Sequence, residues 1–275
     1  MDWKYYNGAM LATNAPHETA NTACIEDGSL WKAKGRPLFA RWTSDFDCGY
    51  ETNWWYCIKD EPFDLQALKA KRRYEITKAK RNFTVRLIAP SEYKEELYFV
   101  QKAAFGAYPA SYRPTIHEET FKSSIDHWGY SVVFGAFSVK TGALCGYAGL
   151  YDCNSYINLS VLKTNPASER DGVNAALVYE ILCYYEKRLS AGLYISDGER
   201  SIQHITAFQN YLEKYFQFRK AYCHLHIAYP PAIRAAVRLL YPCRRLLEKW
   251  DAIRFFHKIN GVLRMEEISR EQHHP

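Results

Sequence analysis

The 275-residue sequence lacks the compact motifs by which several large enzyme classes are recognised. It contains no Gly-x-Ser-x-Gly elbow, no P-loop and no Gly-x-Gly-x-x-Gly, which removes the usual support for a hydrolase, a nucleoside triphosphatase or a dinucleotide-binding enzyme. No stretch approaches about 18 uncharged apolar residues, so no membrane-spanning helix is predicted. The first residues also lack the basic patch and apolar run of a signal peptide, and we do not expect export by that route.

Cysteine is present, but it is not arranged as a disulfide framework or a zinc site. The eight cysteines lie far apart and none forms a Cys-x-x-Cys pair, which is typical of a reduced, cytoplasmic protein. His224 and His226 project from one face of a predicted strand, but no other cysteine or histidine pair has the spacing that a zinc site needs. We therefore predict no metal.

The overall composition indicates a globular chain. Hydrophobic residues make up 48% of it and charged residues 24%, which leaves ample apolar material for a core. Because a single core stops growing at roughly 250 to 300 residues, two lobes are expected. The sequence patterns divide the chain into an irregular lead-in at 1–30, a partial first lobe at 31–90, a larger domain at 91–229 and a basic helical tail at 230–275.

The larger domain has a characteristic order of predicted elements: helix, helix, three strands, helix, strand, helix, strand. The three strands, at 131–139, 143–151 and 156–162, are separated by turn sequences and form an antiparallel meander. Ser168 opens the next helix as the first residue of a Ser-x-x-Asp capping box. Each of the last two strands follows a helical crossover, so the order predicts an α+β fold.

Two stretches make this order more specific. One is residues 69–85, where a helix rich in Arg and Lys ends just before a strand. The other is Tyr194-Ile195-Ser196-Asp197-Gly198, followed by Phe208, Tyr211 and the helix end at 216–220. The element order resembles the GNAT acyltransferase fold. The two stretches are similar to its Fem-type branch, whose bacterial members join amino acids to cell-wall precursors.

The resemblance covers about residues 31 to 229. It implies a mixed α+β, GNAT-like acyltransferase fold with a mostly antiparallel sheet flanked by helices. A partial first GNAT-like lobe precedes this fold, and a C-terminal helical tail follows it.

The resemblance also implies a loop that binds the pyrophosphate of the donor. This chain carries it as Arg170-Asp171-Gly172-Val173-Asn174-Ala175, with the glycine one place early. Backbone N–H groups at a helix start attract phosphate, whereas the carboxylates of Glu169 and Asp171 repel it. The donor is therefore left open between acyl-CoA and aminoacyl-tRNA. The candidate donor-binding residues are Arg170, Gly172, Asn174 and Val161.

Acyl transfer to an amine requires a carbonyl that is held in place, a group that takes up a proton and a group that gives one. Asn158 and Ser160 share one face of the last meander strand and are candidates for positioning, although a half-buried strand with a solvent face explains them equally well. The candidate acid is Tyr211 or Tyr215 in the following helical region.

Two aspartates end strands of the predicted sheet, and either has the chemistry of a general base. Asp197 lies within the Fem-like stretch and is the preferred candidate, although capping the next helix would also explain it. Turn chemistry beside Asn154 is the better explanation for Asp152.

The net charge of +6 is unevenly distributed along the chain. Residues 69–86 hold eight Lys or Arg and one acid, a net charge of +7. Residues 232–264 hold eight Lys or Arg and two acids, a net charge of +6. The remaining residues of the chain therefore carry a net charge of −7. The first cluster supplies candidate phosphate ligands, and a solvated helix face explains it equally well. These candidates are Lys71, Arg72, Arg73, Lys78 and Lys80.

The second cluster interleaves basic residues with Trp250, Phe256 and aliphatic side chains, and Pro242 is expected to break the helix. Such a helix pair either lies on an anionic membrane surface or docks on the core.

These observations lead to a leading hypothesis and an alternative. The first is a cytoplasmic, GNAT/Fem-like acyltransferase that moves an acyl or aminoacyl group to an amine of a cell-envelope glycan or of a nucleotide- or lipid-linked sugar precursor. The alternative is a catalytically silent GNAT-like module that binds tRNA or, through residues 232–264, the inner face of an anionic membrane.

Overall fold

The computed structural model describes residues 2–33, 35–108, 113–202, 207–251 and 253–271. They form two compact units. Unit 1 comprises Met1–Cys57, Glu199–Thr206 and Lys220–Pro275, and unit 2 comprises Ile58–Gly198 and Ala207–Arg219. The predicted domains follow one another along the sequence, whereas each unit is built from separate segments of the chain. The predicted domain boundaries stay a prediction.

Ten strands and nine α-helices are assigned among the described residues. In chain order they are β1 (Trp3–Tyr6), β2 (Ala9–Ala12), α1 (Ala23–Glu26), β3 (Phe39–Ser44), β4 (Trp54–Lys59), α2 (Ala70–Asn82), β5 (Phe83–Leu87), α3 (Lys94–Gly106), α4 (Glu118–Ile125), β6 (Val132–Ser138), β7 (Leu144–Asp152), β8 (Tyr156–Thr164), α5 (Val173–Ser190), β9 (Tyr194–Glu199), α6 (Ala207–Phe216), β10 (Arg219–Ala228), α7 (Pro231–Leu240), α8 (Arg244–Leu247) and α9 (Arg254–Glu271).

The sheet of unit 1 has the strand order β1-β2-β3-β10-β4. β1 and β2 form an antiparallel hairpin around Asn7 and Gly8, which both have positive φ, at 48° and 86°. An Asn-Gly pair is a strong hairpin signal because these residues adopt that conformation at little cost. The prediction of an irregular lead-in at 1–30 is therefore wrong. A 3-10 turn follows at Ser29–Lys32.

The sheet of unit 2 has the order β9-β8-β7-β6-β5. β5, β6, β7 and β8 pair antiparallel, which confirms the predicted meander, and β8 pairs with β9 in parallel. The helix α5 lies between β8 and β9 in the chain, as a parallel connection requires. Its residues Val173, Leu177 and Ile181 are buried at helical spacing.

The start of α5 differs from the predicted capping box. A 3-10 turn, Pro166–Asp171, precedes it, and Asn165 caps that turn because its Oδ1 accepts a hydrogen bond from the Ala167 N–H at 3.0 Å. Gly172 then has φ +94°, which ends the turn before α5 begins at Val173. Ser168 therefore does not cap α5.

The C-terminal tail is helical, as predicted, and Pro242 lies between α7 and α8. Leu263, Met265 and Ile268 of α9 are buried, and Leu263 packs with Tyr229 and Val237 in the core of unit 1. α9 thus docks on its own unit. Among the described residues, no helix is long and apolar enough to cross a membrane.

Candidate functional site

The strands β8 and β9 pair at one end only. Their parallel ladder joins Tyr156 to Tyr194, Ile157 to Ile195 and Asn158 to Ser196. β8 then continues to Thr164 and β9 to Glu199, and these described segments form no further ladder pairs with each other. Backbone N–H and C=O groups on the facing edges are consequently released from the sheet at this point.

Ser160 lies at the point where β8 departs from regular pairing. Gly149 of β7 pairs with Val161 and Leu150 pairs with Leu159, which leaves Ser160 as the extra residue of a β-bulge. Its side chain is exposed and forms a hydrogen bond with the Tyr130 hydroxyl. Burial still alternates up to this point of the strand, with Ile157 and Leu159 buried and Asn158 and Ser160 more exposed.

The other two predicted residues of β8 lie on either side of this bulge. Asn158 occupies the last rung of the parallel ladder, opposite Ser196, and is partly buried. Val161 packs against the core cluster that contains Leu97 and Tyr147, which is a structural contact. The positioning role of Asn158 and Ser160 and the donor-binding role of Val161 stay predictions.

Asp197 is the first residue of β9 beyond the parallel ladder. Burial raises the pKa of its carboxyl to about 7, and a hydrogen bond from the Gln209 side chain opposes part of that rise. No described Lys or Arg forms an ion pair with it. The neighbouring backbone is fixed, since Ser196 Oγ accepts a hydrogen bond from the Gly198 N–H at 3.0 Å. A carboxyl with a pKa near neutrality suits a general base.

Asp152, the other strand-ending aspartate, is an ion-pair partner. Its carboxylate binds the Arg188 guanidinium through both oxygens, with Nη2 to Oδ1 at 3.0 Å, and it accepts a hydrogen bond from the Asn154 N–H at 3.0 Å. The hydrogen bond from Arg188 lowers the pKa of Asp152. Turn and ion-pair chemistry account for this residue.

The two candidate tyrosine acids lie together on α6. The Tyr211 and Tyr215 ring centroids are 4.9 Å apart, and the Arg72 guanidinium lies 4.0 Å from the centroid of the Tyr215 ring. Burial raises the pKa of Tyr211 far above its usual range, so its hydroxyl keeps its proton. The structure thus brings Arg72 of α2 together with both tyrosines.

The predicted donor loop is packed against α2. A Cβ built on Gly172 would lie 2.8 Å from the Cβ of Ala79, so glycine is required here for close approach of α2 as well as for its positive φ. Asn82 donates to the Asp171 carbonyl at 3.0 Å, and Asn174 Oδ1 accepts from the Thr164 hydroxyl at 3.1 Å. Phosphate binding by Arg170, Gly172 and Asn174 stays a prediction.

Most of the candidate phosphate ligands of α2 have partners within unit 2. Arg73 donates to the carbonyls of Gln66 and Leu68, at 3.0 and 2.8 Å. Lys78 donates to the Arg170 carbonyl at 3.3 Å, and Lys80 to the Tyr179 hydroxyl at 3.2 Å. Lys71 is exposed. The phosphate role of these residues also stays a prediction.

Sequence reasoning missed Gln209, whose side chain binds Asp197. Gln209, Leu212 and Phe216 are all buried and follow helical spacing, so Gln209 is a polar residue on the inner face of α6. A buried polar side chain normally has a specific partner. A glutamine at an apolar position of the predicted helix is therefore the sequence feature that indicates a specific partner for Gln209.

His224 and His226 contribute to a hydrogen-bonded chain on unit 1. His224 Nε2 lies 2.9 Å from the Tyr50 hydroxyl and its Nδ1 lies 3.1 Å from Asp45, while His226 Nε2 lies 2.7 Å from Ser44 Oγ. Among the described residues, no group of three or more His, Cys, Asp or Glu has a geometry that could hold a metal ion.

The element order and strand pairing of unit 2 confirm the predicted GNAT-like α+β fold, with its mostly antiparallel sheet flanked by helices. No protein-family model matches the chain, and no curated protein matches it.

Solved structures similar to the chain are known. The C-terminal domain, DUF2156, of a putative lysylphosphatidylglycerol synthetase from Agrobacterium fabrum is 10% identical, with a TM-score of 0.50 over 86% of this chain and 82% of that chain. L-PGS from Bacillus licheniformis is 12% identical, with a TM-score of 0.49 over 86% and 83%. A tandem GNAT protein from the clavulanic acid biosynthesis pathway is 12% identical, with a TM-score of 0.43 over 81% and 75%. At 10% identity, the similarity to the Agrobacterium domain shows the fold alone.

Proposed function

We propose that the protein is an acyltransferase that moves an acyl or aminoacyl group onto an amine, with Asp197 as the general base. The observation that carries the proposal is the position of Asp197 just where β9 leaves β8, together with the rise of its pKa to about 7. An amine acceptor must lose a proton as it attacks, and a base of this pKa is half ionised at neutral pH.

The proposed reaction forms one bond and breaks one. The acceptor nitrogen attacks the donor carbonyl carbon, Asp197 takes the proton from that nitrogen, and the bond to the leaving sulfur or oxygen breaks. Tyr211 or Tyr215 gives a proton to that leaving atom and takes one back from the protonated Asp197, so both side chains return to their starting forms. Asn158 and Ser160 orient the reactants at the opening, where backbone groups released from the sheet stabilise the negative oxygen.

The donor and acceptor classes follow from the resemblance. The donor is acyl-CoA or an aminoacyl-tRNA, and the acceptor is an amine of a cell-envelope glycan or of a nucleotide- or lipid-linked sugar precursor. The name of the Agrobacterium protein, a putative lysylphosphatidylglycerol synthetase, makes an aminoacyl donor and a lipid-linked acceptor the first pair to test. Such a protein would act in the bacterial cytoplasm, at the inner face of the membrane.

Donor binding provides the first experiment. Thermal unfolding is measured with acetyl-CoA, with coenzyme A and with aminoacyl-tRNA, each at constant ionic strength. Stabilisation by coenzyme A selects acyl-CoA as the donor class, and stabilisation by the charged but not the uncharged tRNA selects aminoacyl transfer. No stabilisation by any of the three would contradict the proposed transferase. Transfer of a labelled acyl group to an amine acceptor is then measured for wild type and Asp197→Asn.

A second candidate function is membrane binding by the segment 239–255 of unit 1. Five of its large apolar side chains are exposed, and Arg245 and Lys249 beside them are exposed as well. An anionic bilayer would accept both the apolar and the basic side chains. These apolar residues are Leu239, Leu246, Trp250, Ile253 and Phe255. If the protein is catalytically silent, binding to the membrane would be its function. Binding to tRNA is the other function proposed for a silent protein.

Vesicle sedimentation separates this candidate from non-specific adsorption. We expect binding to vesicles of phosphatidylcholine with phosphatidylglycerol, weaker binding to phosphatidylcholine alone, and loss of binding in the double variant Trp250→Ser, Phe255→Ser. Phe99→Ser is the matched control, because Phe99 on α3 is 60% exposed and Trp250 is 57% exposed. Equal binding by all variants would exclude a role for this segment.

A further inference from the structure

Two cations in unit 1 share one indole ring. The Arg200 guanidinium lies 4.4 Å from the centroid of the Trp55 ring, and the Lys220 ammonium lies 4.5 Å from the same centroid. The two positive groups are therefore no more than about 9 Å apart. A third cation, Arg264 of α9, is close enough to act on the charge of Arg200.

The backbone of β4 and the residue before it hold Arg200 in place. The Arg200 N–H donates to the Trp55 carbonyl at 3.0 Å, and its Nη1 donates to the Asn53 carbonyl at 2.6 Å. The Arg200 Nε is buried and has no hydrogen-bond acceptor among the described residues. Arg200 is thus fixed in a partly buried position, with guanidinium hydrogens left over for another acceptor.

None of these three cations has a carboxylate partner among the described residues. Glu271 accepts a hydrogen bond from the side chain of Asn53 at 2.7 Å, and the Asn53 carbonyl in turn accepts from Arg200. Desolvation and the charge of Arg264 both lower the pKa of Arg200. A partly buried cation without a counter-charge is costly unless an anion reaches it.

Other arginines of unit 1 show the usual arrangement. Arg41 pairs with Glu199 at 3.1 Å, Arg244 pairs with Glu267 at 2.8 Å, and Arg270 pairs with Glu266 at 2.8 Å. The group around Trp55 differs from all of these because it collects positive charge without neutralising it.

We propose that Arg200, Lys220 and Arg264 form a binding site for a phosphate group, with Trp55 as the surface on which the first two are arranged. A phosphate dianion offers several acceptor oxygens to several donors at once, which suits two guanidinium groups and one ammonium better than a single carboxylate does. The site lies wholly within unit 1, and the proposal does not rest on the acyltransferase reaction or on Asp197.

Titration calorimetry with inorganic phosphate and pyrophosphate tests the site, at an ionic strength held constant with sodium chloride. We expect saturable binding by wild type with one site per chain. Arg264→Gln and Arg200→Gln should each weaken it by at least about tenfold, because each removes charge-assisted hydrogen bonds. Lys4→Gln is the control: it removes one positive charge from an exposed position of the same unit, and we expect unchanged affinity.

A stability measurement keeps the test informative if Arg200→Gln folds poorly. Arg264 is exposed, so Arg264→Gln is expected to fold. Without phosphate it should unfold at the same or a higher temperature than wild type, because a repulsion is lost, and it should lose the upward shift that phosphate gives to wild type. Absence of saturable binding by wild type would overturn the proposal. So would an equal loss of affinity in Lys4→Gln and Arg264→Gln.

Discussion

Asp152 and Asp197 occupy similar places in the chain, near the ends of β7 and β9, and differ in chemistry. Arg188 binds the carboxylate of Asp152 and lowers its pKa, whereas Asp197 has no cationic partner among the described residues and its pKa rises to about 7. The ion pair keeps Asp152 ionised and occupied. Burial keeps Asp197 poised to exchange a proton near neutral pH. The surroundings of each carboxyl, and not its position at a strand end, thus decide its pKa and whether it can exchange a proton near neutral pH.

The largest expected effect is on turnover. Asp197→Asn keeps the size of the side chain and removes the base, so we expect turnover to fall by about 10² to 10⁴-fold while the thermal unfolding transition is retained. The matched control is Asp152→Asn, which should change turnover by less than about threefold. Comparable losses in the two variants would remove the distinction between the aspartates.

The pH dependence of the reaction sharpens the same comparison. Because Asp197 must be ionised to accept a proton, activity should rise by about tenfold per pH unit below its pKa and level off above about pH 7. Gln209→Met removes a hydrogen bond that lowers this pKa, so the rising limb should move to higher pH. A pH–rate profile without an inflection between pH 6 and 8 in wild type would count against Asp197 as the base.

Stability should also respond to pH in opposite ways at the two sites. The folded-state pKa of Asp197 lies above its unfolded value, so folding favours the protonated form and the stabilisation is lost as pH rises from about 4 to 7. Relative to Asp197→Asn, wild type should lose on the order of 1 to 3 kcal/mol of unfolding free energy across this range. Chemical denaturation of both proteins at several pH values measures this loss. Parallel plots of unfolding free energy against pH for the two proteins would refute the prediction.

The smallest expected effect is at the ion pair. Arg188→Gln should lower the free energy of unfolding by about 1 kcal/mol or less at pH 7, since both side chains are partly exposed. The pKa of Asp152 is lower in the folded protein than its ordinary value, so the ion pair stabilises the fold only while Asp152 is ionised. The difference between the two proteins should therefore disappear as Asp152 becomes protonated at low pH. Urea unfolding at pH 7 and pH 3 checks this, and an equal loss at both would show that the contact is not ionic.

The fold of unit 2 was accessible from sequence because its signals are local. Turn residues separate β6, β7 and β8, and apolar residues at helical spacing mark α5. Pairing between distant segments has no such signal: β5 joins β6 in unit 2, whereas β10 joins β3 in unit 1. The hairpin at Asn7 and Gly8 has a local signal, because an Asn-Gly pair adopts positive φ at little cost.

The candidate site was accessible only in part. The position of Asp197 at a strand end follows from sequence, but its desolvation and its contact with Gln209 depend on how α6 packs. Gly172 shows the same limit, because a glycine that suits a phosphate loop also suits the close approach of Ala79. Only the packed structure identifies its neighbour.

A carbon-13 NMR titration of the aspartate carboxyl carbons tests the central claim most directly, with Asp197→Asn and Asp152→Asn used to assign the two resonances. We expect Asp197 to titrate with a pKa of about 7 and Asp152 to titrate with a pKa below its ordinary value. A pKa near 4 for Asp197 would contradict it.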